Sequence, residues 1–351
     1  MTNLKPKIAF LGTGGTISYT GRDSLDVWEY MDYGTRLNIS DILKRFPEVE
    51  DAADIIPIDV RQVSSSGILP DDWLALAKTI QEVEQNSKNI DGIIITHGTA
   101  TLEETAYFIN LTAKTDLPIV IIGAQRPSSG FATDAGSNLL SAIRVAASKE
   151  TKGLGVMVLL NEEIQAAREV TKTSTLRLET FQTPDLGMLG YSDPDGKVAI
   201  YRKPSRLHTN DTEFDISKIS DLPRVDIVSN YAGADGVAVE AFVNAGAKAI
   251  IISALAPGLP ASLQTESIEQ ALKKGKGLSG PLQEAGVFPP MAVQMITVGE
   301  ASGALDKMLT KVSQTYDKEV EQSIKQVISL IEPMMILLMA LVIGFIVVSM
   351  L

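Results

Sequence analysis

Short runs rich in Ile, Val and Leu alternate with helical periodicity through the first half of this chain, and the alternation stops near residue 262. The runs fall at 8–11, 55–63, 92–96, 118–122 and 155–160, as expected of strands buried in a sheet. Between them, apolar residues recur at three- and four-residue spacing over 71–86, 101–113 and 134–148, which predicts amphipathic helices. Pro70-Asp71-Asp72 suits a helix start, and Thr101-Leu102-Glu103-Glu104 resembles a capping box. The alternation predicts an α/β fold with a doubly wound parallel sheet over 1–182. A turn-rich segment, 183–222, reads as a linker. Strand 225–229, helix 236–245 and strand 248–253 then open a second α/β unit, assigned to 223–261, that is left incomplete.

After Ala256-Pro257-Gly258-Leu259-Pro260 the pattern is helix alone. Residues 266–332 form the expected all-α segment: a short helix at 266–274, then a loop over 276–290 with Gly280-Pro281 and Pro289-Pro290. A long amphipathic stretch follows, with Leu305, Met308, Leu309, Val312, Tyr316, Val320, Ile324, Val327, Ile328 and Ile331 on one face. From Pro333 to Leu351 no residue is charged, and a spanning helix needs only ~20 apolar residues, so 333–351 is expected to be a C-terminal transmembrane helix rather than a buried core helix. No polar flank follows it, and the chain reads as cut short. Met1-Thr2-Asn3-Leu4-Lys5-Pro6-Lys7 runs straight into a strand and does not resemble an export signal. The expected location is therefore the inner (cytoplasmic) membrane, single-pass, with the body on the cytoplasmic side.

Composition narrows the chemistry. The chain has no cysteine, which excludes thiolate nucleophiles, disulfides and zinc-thiolate sites. Its two histidines, His97 and His208, are too few and too far apart for a usual histidine metal cluster, and no metal or cofactor is expected. A net charge of −12 without a Lys/Arg cluster argues against nucleic acid as a partner.

Two of the predicted strands end in glycine-rich turns that present threonine: Gly12-Thr13-Gly14-Gly15-Thr16 and Thr96-His97-Gly98-Thr99-Ala100-Thr101. Ligands of parallel α/β sheets bind beyond the carboxyl ends of strands, where such turns bring backbone N–H groups and hydroxyls to a small substrate. A hydrolase is suggested. A threonine hydroxyl needs a base. His97 reads as a packed, structural histidine. Lys172, in Val170-Thr171-Lys172-Thr173, is either an exposed surface lysine or, buried beside a hydroxyl, a base with a lowered pKa.

The order and spacing of these motifs resemble the bacterial-type L-asparaginase family. The likeness continues through Gly123-Ala124-Gln125-Arg126-Pro127, Thr133-Asp134-Ala135-Gly136, Val225-Asp226-Ile227-Val228 and Tyr231-Ala232, and spans about 5–260. The resemblance implies hydrolysis of asparagine, in many members glutamine too, to the acid and ammonia without a cofactor. It implies Thr13 as nucleophile on the side-chain amide, and Thr99 with Lys172 activating Thr99 or its water. Ser65 and Ser66 fall where the family binds the substrate α-carboxylate, and N–H groups around Thr99 and Ala100 would form an oxyanion hole. A lid over 18–34 would bring a tyrosine to the first threonine; Tyr30 is chosen over Tyr19 and Tyr33. Two departures stand out. Ala100 replaces the aspartate with which the family meets the substrate ammonium, and the C-terminal α/β domain, which in the family closes a neighbour's site in a homo-oligomer, is truncated.

The back of the chain carries a second resemblance. Gly286-Val287-Phe288-Pro289-Pro290, Gly299-Glu300-Ala301-Ser302-Gly303-Ala304-Leu305, Tyr316, Glu319 and Ile331-Glu332-Pro333 are similar to the inner-membrane platform protein of type II secretion and type IV pilus assembly, over about 266–351. That family is a scaffold, so Glu300 is expected to pack rather than to catalyse. Three readings of the whole follow: a membrane-tethered asparaginase-like amidohydrolase acting through a threonine nucleophile, a non-catalytic platform fragment, or a non-functional gene fusion.

Overall fold

The computed structural model describes residues 4–86, 89–274, 279–286, 288–302, 305 and 307–316. The chain divides into two compact units, 1–222 and 223–351. The first begins with β1 (Lys7–Gly14), β2 (Tyr19–Thr20), α1 (Tyr30–Tyr33), β3 (Thr35–Arg36), α2 (Ile39–Arg45) and α3 (Val49–Ala52). Next come β4 (Asp54–Val63), α4 (Pro70–Asn86), β5 (Gly92–Thr96), α5 (Leu102–Thr112), β6 (Ile119–Ile122), α6 (Ala135–Ala147) and β7 (Val156–Leu160). It closes with β8 (Glu163–Ala166), β9 (Thr171–Lys172), β10 (Phe181–Gln182), β11 (Gly190–Ser192) and β12 (Val198–Ile200).

Eight of these strands form one sheet in the order β12-β11-β8-β7-β6-β5-β1-β4. Neighbours from β4 through β1, β5, β6 and β7 are parallel, whereas β8, β11 and β12 add on antiparallel. The sheet is thus mixed rather than wholly parallel. The segment expected to link domains supplies two of its strands, because Gly190 pairs with Ile164 and Ile200. Strands of three residues are too short to show an alternating pattern, which hides such a hairpin from a periodicity search.

Both faces of the parallel part are covered, which is why its strands read as continuous apolar runs. Ile8, Phe10, Ile94, Val120, Ile122 and Met157 pack with α2, α3 and α6 on one face. Ala9, Leu11, Ile93, Ile95, Ile121 and Val158 pack with α4 and α5 on the other. The connections leaving β1 and β5, adjacent strands, therefore pass to opposite faces. The crevice between their carboxyl ends is a topological switch point, the place where open α/β sheets bind ligands. Strands β5, β6 and β7 advance across the sheet in one direction, yet α5 and α6 lie on opposite faces. The β6-α6-β7 crossover consequently has the opposite hand to the other three, a rare exception to a strong rule.

In the second unit β13 (Val225–Ser229) and β14 (Ala249–Ser253) form a two-stranded parallel sheet joined through α7 (Val237–Asn244). Then come α8 (Thr265–Lys274), α9 (Ser279–Ala285) and α10 (Pro290–Ser302). The stretch expected as a loop over 276–290 thus contains α9. Residues 305 and 307–316 are helical, with Leu305, Met308, Val312 and Tyr316 half-buried and Leu309 exposed. A Cβ on Gly299 would lie 2.8 Å from that of Met308, so the glycine lets these two helical segments approach closely. Among the described residues no helix is long and apolar enough to cross a membrane. The expected transmembrane helix, 333–351, and the amphipathic positions from Val320 to Ile331 lie outside the described residues.

Candidate active site

The first turn forms because the last residue of β1, Gly14, and the next, Gly15, are glycines with φ of 102° and 88°. A side chain at Gly15 would lie 2.3 Å from the Gly98 backbone nitrogen. The two threonine-bearing turns are therefore packed backbone to backbone, just beyond the paired residues Gly12 and Thr96. Thr13 is buried there, and its hydroxyl donates to the Thr96 carbonyl at 2.7 Å.

Thr99 lies in the second turn, also buried, within reach of a lysine. The Lys172 Nζ is 2.7 Å from Thr99 Oγ1. Burial pushes the Lys172 pKa below the ordinary lysine range, while the Glu103 carboxylate opposes that shift. Thr99 Oγ1 donates in turn to Gln125 Oε1 at 3.1 Å. The Gln125 amide is oriented by its own donors, since Nε2 gives hydrogen bonds to the carbonyls of Thr175 (3.3 Å) and Arg177 (3.0 Å). Its backbone N–H is held at 2.9 Å by Asp134 Oδ2.

Lys172 is positioned from the same helix that follows Thr99. Glu103, in the first turn of α5, accepts the Lys172 N–H at 2.5 Å and the Thr171 hydroxyl at 3.4 Å. It thereby fixes β9 against α5, and Glu103 and Gln125 join the expected constellation as residues that the sequence did not assign. Their signals were present: Glu103 stands four residues after Thr99 on a predicted helix, and Gln125 lies in a turn already singled out.

Thr101 occupies the N-cap of α5, but no side-chain cap forms. Its hydroxyl donates instead to the Ser65 carbonyl at 2.8 Å, so the expected capping box is replaced by a tie between loops. Ser65 is buried, and its Oγ accepts the Ala100 N–H at 3.1 Å. That N–H, expected in an oxyanion hole, is thus engaged by Ser65. Ser66 is exposed and pairs with the Ser64 hydroxyl at 3.2 Å. Ala100 is exposed as well.

Of the three lid tyrosines, Tyr30 is buried with its hydroxyl 2.8 Å from Thr16 Oγ1. It meets Thr16 rather than Thr13, and burial raises its pKa, keeping the phenol protonated. Tyr19 packs edge-on against Tyr30, and its hydroxyl accepts from Arg36; Tyr33 is exposed beneath the Arg22 guanidinium.

His97 is a structural residue. Its Nδ1 donates to the Gly98 carbonyl at 2.8 Å, which leaves Nε2 to accept from Thr105 at 2.9 Å. Thr105 Oγ1 accepts the Trp73 indole N–H at 2.8 Å, completing a relay of neutral bonds. Burial lowers the His97 pKa to about 4. In the second unit Glu300 accepts the Ser279 N–H at 3.1 Å and its hydroxyl at 2.5 Å, a cap for α9.

Comparison with known proteins identifies the family. Residues 7–206 match the family model described as Asparaginase, N-terminal, and residues 248–351 match Type II secretion system (T2SS), protein F. A glutaminase-asparaginase of Pseudomonas fluorescens biotype A is 38% identical over 76% of this chain and 73% of its own length. L-asparaginase 2 of Escherichia coli strain K12 is 37% identical over 77% of this chain and 76% of its own. The crystal structure of a probable cytoplasmic L-asparaginase from Campylobacter jejuni superposes with a TM-score of 0.73 at 40% identity, covering 77% of this chain and 82% of that one. The chain belongs to the asparaginase family of amidohydrolases. The second match, to the secretion-system family, is confined to the last third of the chain.

Proposed function

We propose that this protein hydrolyses the side-chain amide of asparagine, and of glutamine, through a threonine nucleophile, and that its C-terminal segment tethers it to a membrane. The observation that carries the catalytic part is the 2.7 Å contact between Lys172 and Thr99, in a turn packed against the one that bears Thr13. Thr13 Oγ attacks the amide carbonyl carbon, the C–N bond breaks, and ammonia leaves with the proton given up by the hydroxyl. Water then cleaves the acyl ester, regenerating Thr13 and releasing the acid. A lysine with a lowered pKa can hold and return the protons of both steps through Thr99. Gln125 and Glu103 keep Thr99 and Lys172 in register, and the hydroxyls of Ser65 and Ser66 serve the substrate carboxylate. Tyr30 closes over the first turn.

Acid quench during turnover, followed by peptide mass mapping, tests the assignment. The acyl ester is expected on Thr13. An ester on Thr99 would transfer the nucleophile there, and ammonia release that persists in both Thr13→Ala and Thr99→Ala would reject the site. The secretion-platform match favours a second reading, a scaffold without turnover; a folded chain that releases no ammonia supports it. Fractionation of cells making the chain with and without 333–351 tests the tether. Equal solubility of the two rules it out.

A further inference from the structure

We propose that Ser129 is a positioning residue that acts through the arm 21–34: it latches the arm to the first threonine turn and sets the rate at which the site takes in substrate and releases the acid. The proposal rests on the amidohydrolase reading above and concerns access to that same site. Its basis is how unequally the arm is tied. Inside the arm the bonds are dense. Asp23 Oδ1 accepts the N–H groups of Leu25 at 2.8 Å and Asp26 at 3.1 Å, and the Asp26 carboxylate accepts those of Arg22 and Glu29, both at 3.0 Å. The Arg22 guanidinium lies over the Tyr33 ring at 4.6 Å. Among the described residues, three hydrogen bonds lead from the arm to the rest of the protein. Gly21 N–H donates to Ser129 Oγ at 2.7 Å, Phe131 N–H donates to the Ser24 carbonyl at 2.6 Å, and the Tyr30 hydroxyl meets that of Thr16 at 2.8 Å.

The loop that carries Ser129 is itself firmly held. Ser128 is buried, its N–H and its hydroxyl both donate to the Tyr19 carbonyl at 2.8 Å, and its own carbonyl accepts from Arg45 Nε at 2.8 Å. Tyr19 belongs to the β2-β3 ribbon at the base of the arm, where it pairs with Arg36. A Cβ on Gly130 would lie 3.3 Å from Val27 Cγ1, so this glycine lets the loop approach the arm. The loop also reaches the chemistry, because Gln125 at its start accepts from the Thr99 hydroxyl. A segment bonded densely within and sparsely outside opens as a unit. Opening on the ribbon breaks the three ties and leaves Ser128 in place. The Ser129 bond is the same in the empty and the occupied chain, so it cancels from the affinity and remains in both rate constants.

Ser129→Ala removes the acceptor for the Gly21 N–H, and Ser129→Thr keeps it; both are made in the full chain. Hydrogen exchange resolved by peptide is expected to quicken about fivefold over 21–34 in Ser129→Ala and to stay unchanged over β1 and β5. Ligand-observed NMR exchange with the product acid aspartate is expected to show dissociation about fivefold faster, with Kd within about twofold of the wild-type value. Ser129→Thr should match the wild type in both. Exchange over 21–34 that does not change, or that rises equally over β1 and β5, overturns the latch and leaves the amidohydrolase reading standing. Faster exchange with unchanged dissociation, or with a Kd raised in step with it, overturns the role in access. Ser129→Thr as loose as Ser129→Ala overturns the role of the hydroxyl. Aspartate that does not bind, with no ammonia released from asparagine, defeats the amidohydrolase reading and the role in access with it, while exchange over 21–34 still decides the latch.

Discussion

The two parallel-sheet regions of this protein are written in similar residues and end in different environments. In the first unit Ile93, Ile94 and Ile95 of β5 are fully buried between two layers of helix. In the second, Ile250, Ile251 and Ile252 of β14 form an equally β-branched run, yet Ile251 is 55% exposed and its neighbour Ile227 66%. Among the described residues only β13 pairs with β14, and the face carrying Val225, Ile227 and Ile251 is solvent-exposed. A β-branched run specifies a strand; the number of layers over it comes from the rest of the chain. The turns follow the same division. Turns capable of chemistry sit where the sheet is wide enough to create a switch point between β1 and β5.

The largest expected difference between the regions is therefore in turnover. Lys172→Met should lower kcat/KM by about 10³-fold or more, because it removes the base proposed for Thr99. Glu300→Gln, in the second unit, should leave kcat and KM within about twofold, since that carboxylate caps α9. Steady-state ammonia release compares the two variants. A comparable loss in Glu300→Gln would mean that the second unit takes part in the chemistry.

Stability should separate the regions next. Ile94→Ala opens a cavity between β5 and α6 and is expected to cost about 2–5 kcal/mol. Ile251→Ala removes a half-solvated side chain and should stay within about 0.5 kcal/mol. Denaturant titration followed by hydrogen exchange on the full chain checks both, unit by unit. Equal costs would show that the exposed face of β13 and β14 is covered in solution.

Much of this arrangement is visible in the sequence, and what escapes has physical causes. The strands at 92–96 and 225–229 and the threonine turns are local patterns, set by side-chain periodicity and by glycine at positive φ. The β11-β12 hairpin escapes because its strands are short and its pairing partner, β8, is about 25 residues away in the chain. The opposite hand of the β6-α6-β7 crossover leaves no mark in periodicity, since an amphipathic helix reads alike on either face. Glu103 and Gln125 escape for a related reason: their partners, Lys172 and Thr99, lie 69 and 26 residues away.

The His97 relay gives a third, pH-dependent contrast. Its native pKa of about 4 lies below the ordinary value of 6.5, so between those values the unfolded chain binds a proton that the folded first unit does not. The stability from neutral His97 is complete above pH 6.5 and is lost as the pH falls toward 4, roughly 3 kcal/mol in all. His97→Gln should flatten the stability of the first unit across that window. Unfolding free energies at pH 7 and pH 4.5 test it, and an unchanged slope would place the acid sensitivity elsewhere.

The smallest effect concerns the residue that links both parts of the site. Glu103 holds the Lys172 backbone and also raises the lysine's pKa against the effect of burial. Glu103→Gln retains a carbonyl oxygen for the Lys172 N–H but removes the charge. The lysine should then lose its proton more readily, and the limb of the pH–rate profile that reports it should move to lower pH. A purely structural role predicts a lower kcat with that limb unmoved. The profile of Glu103→Gln, set beside that of Glu103→Ala, separates the two effects. Alanine loses the backbone tie as well, so its kcat should fall further, whereas the limb shifts in the same direction in both. A limb that stays in place in both variants would detach Lys172 from the rate-determining proton transfer and leave Thr99 without the base assigned to it.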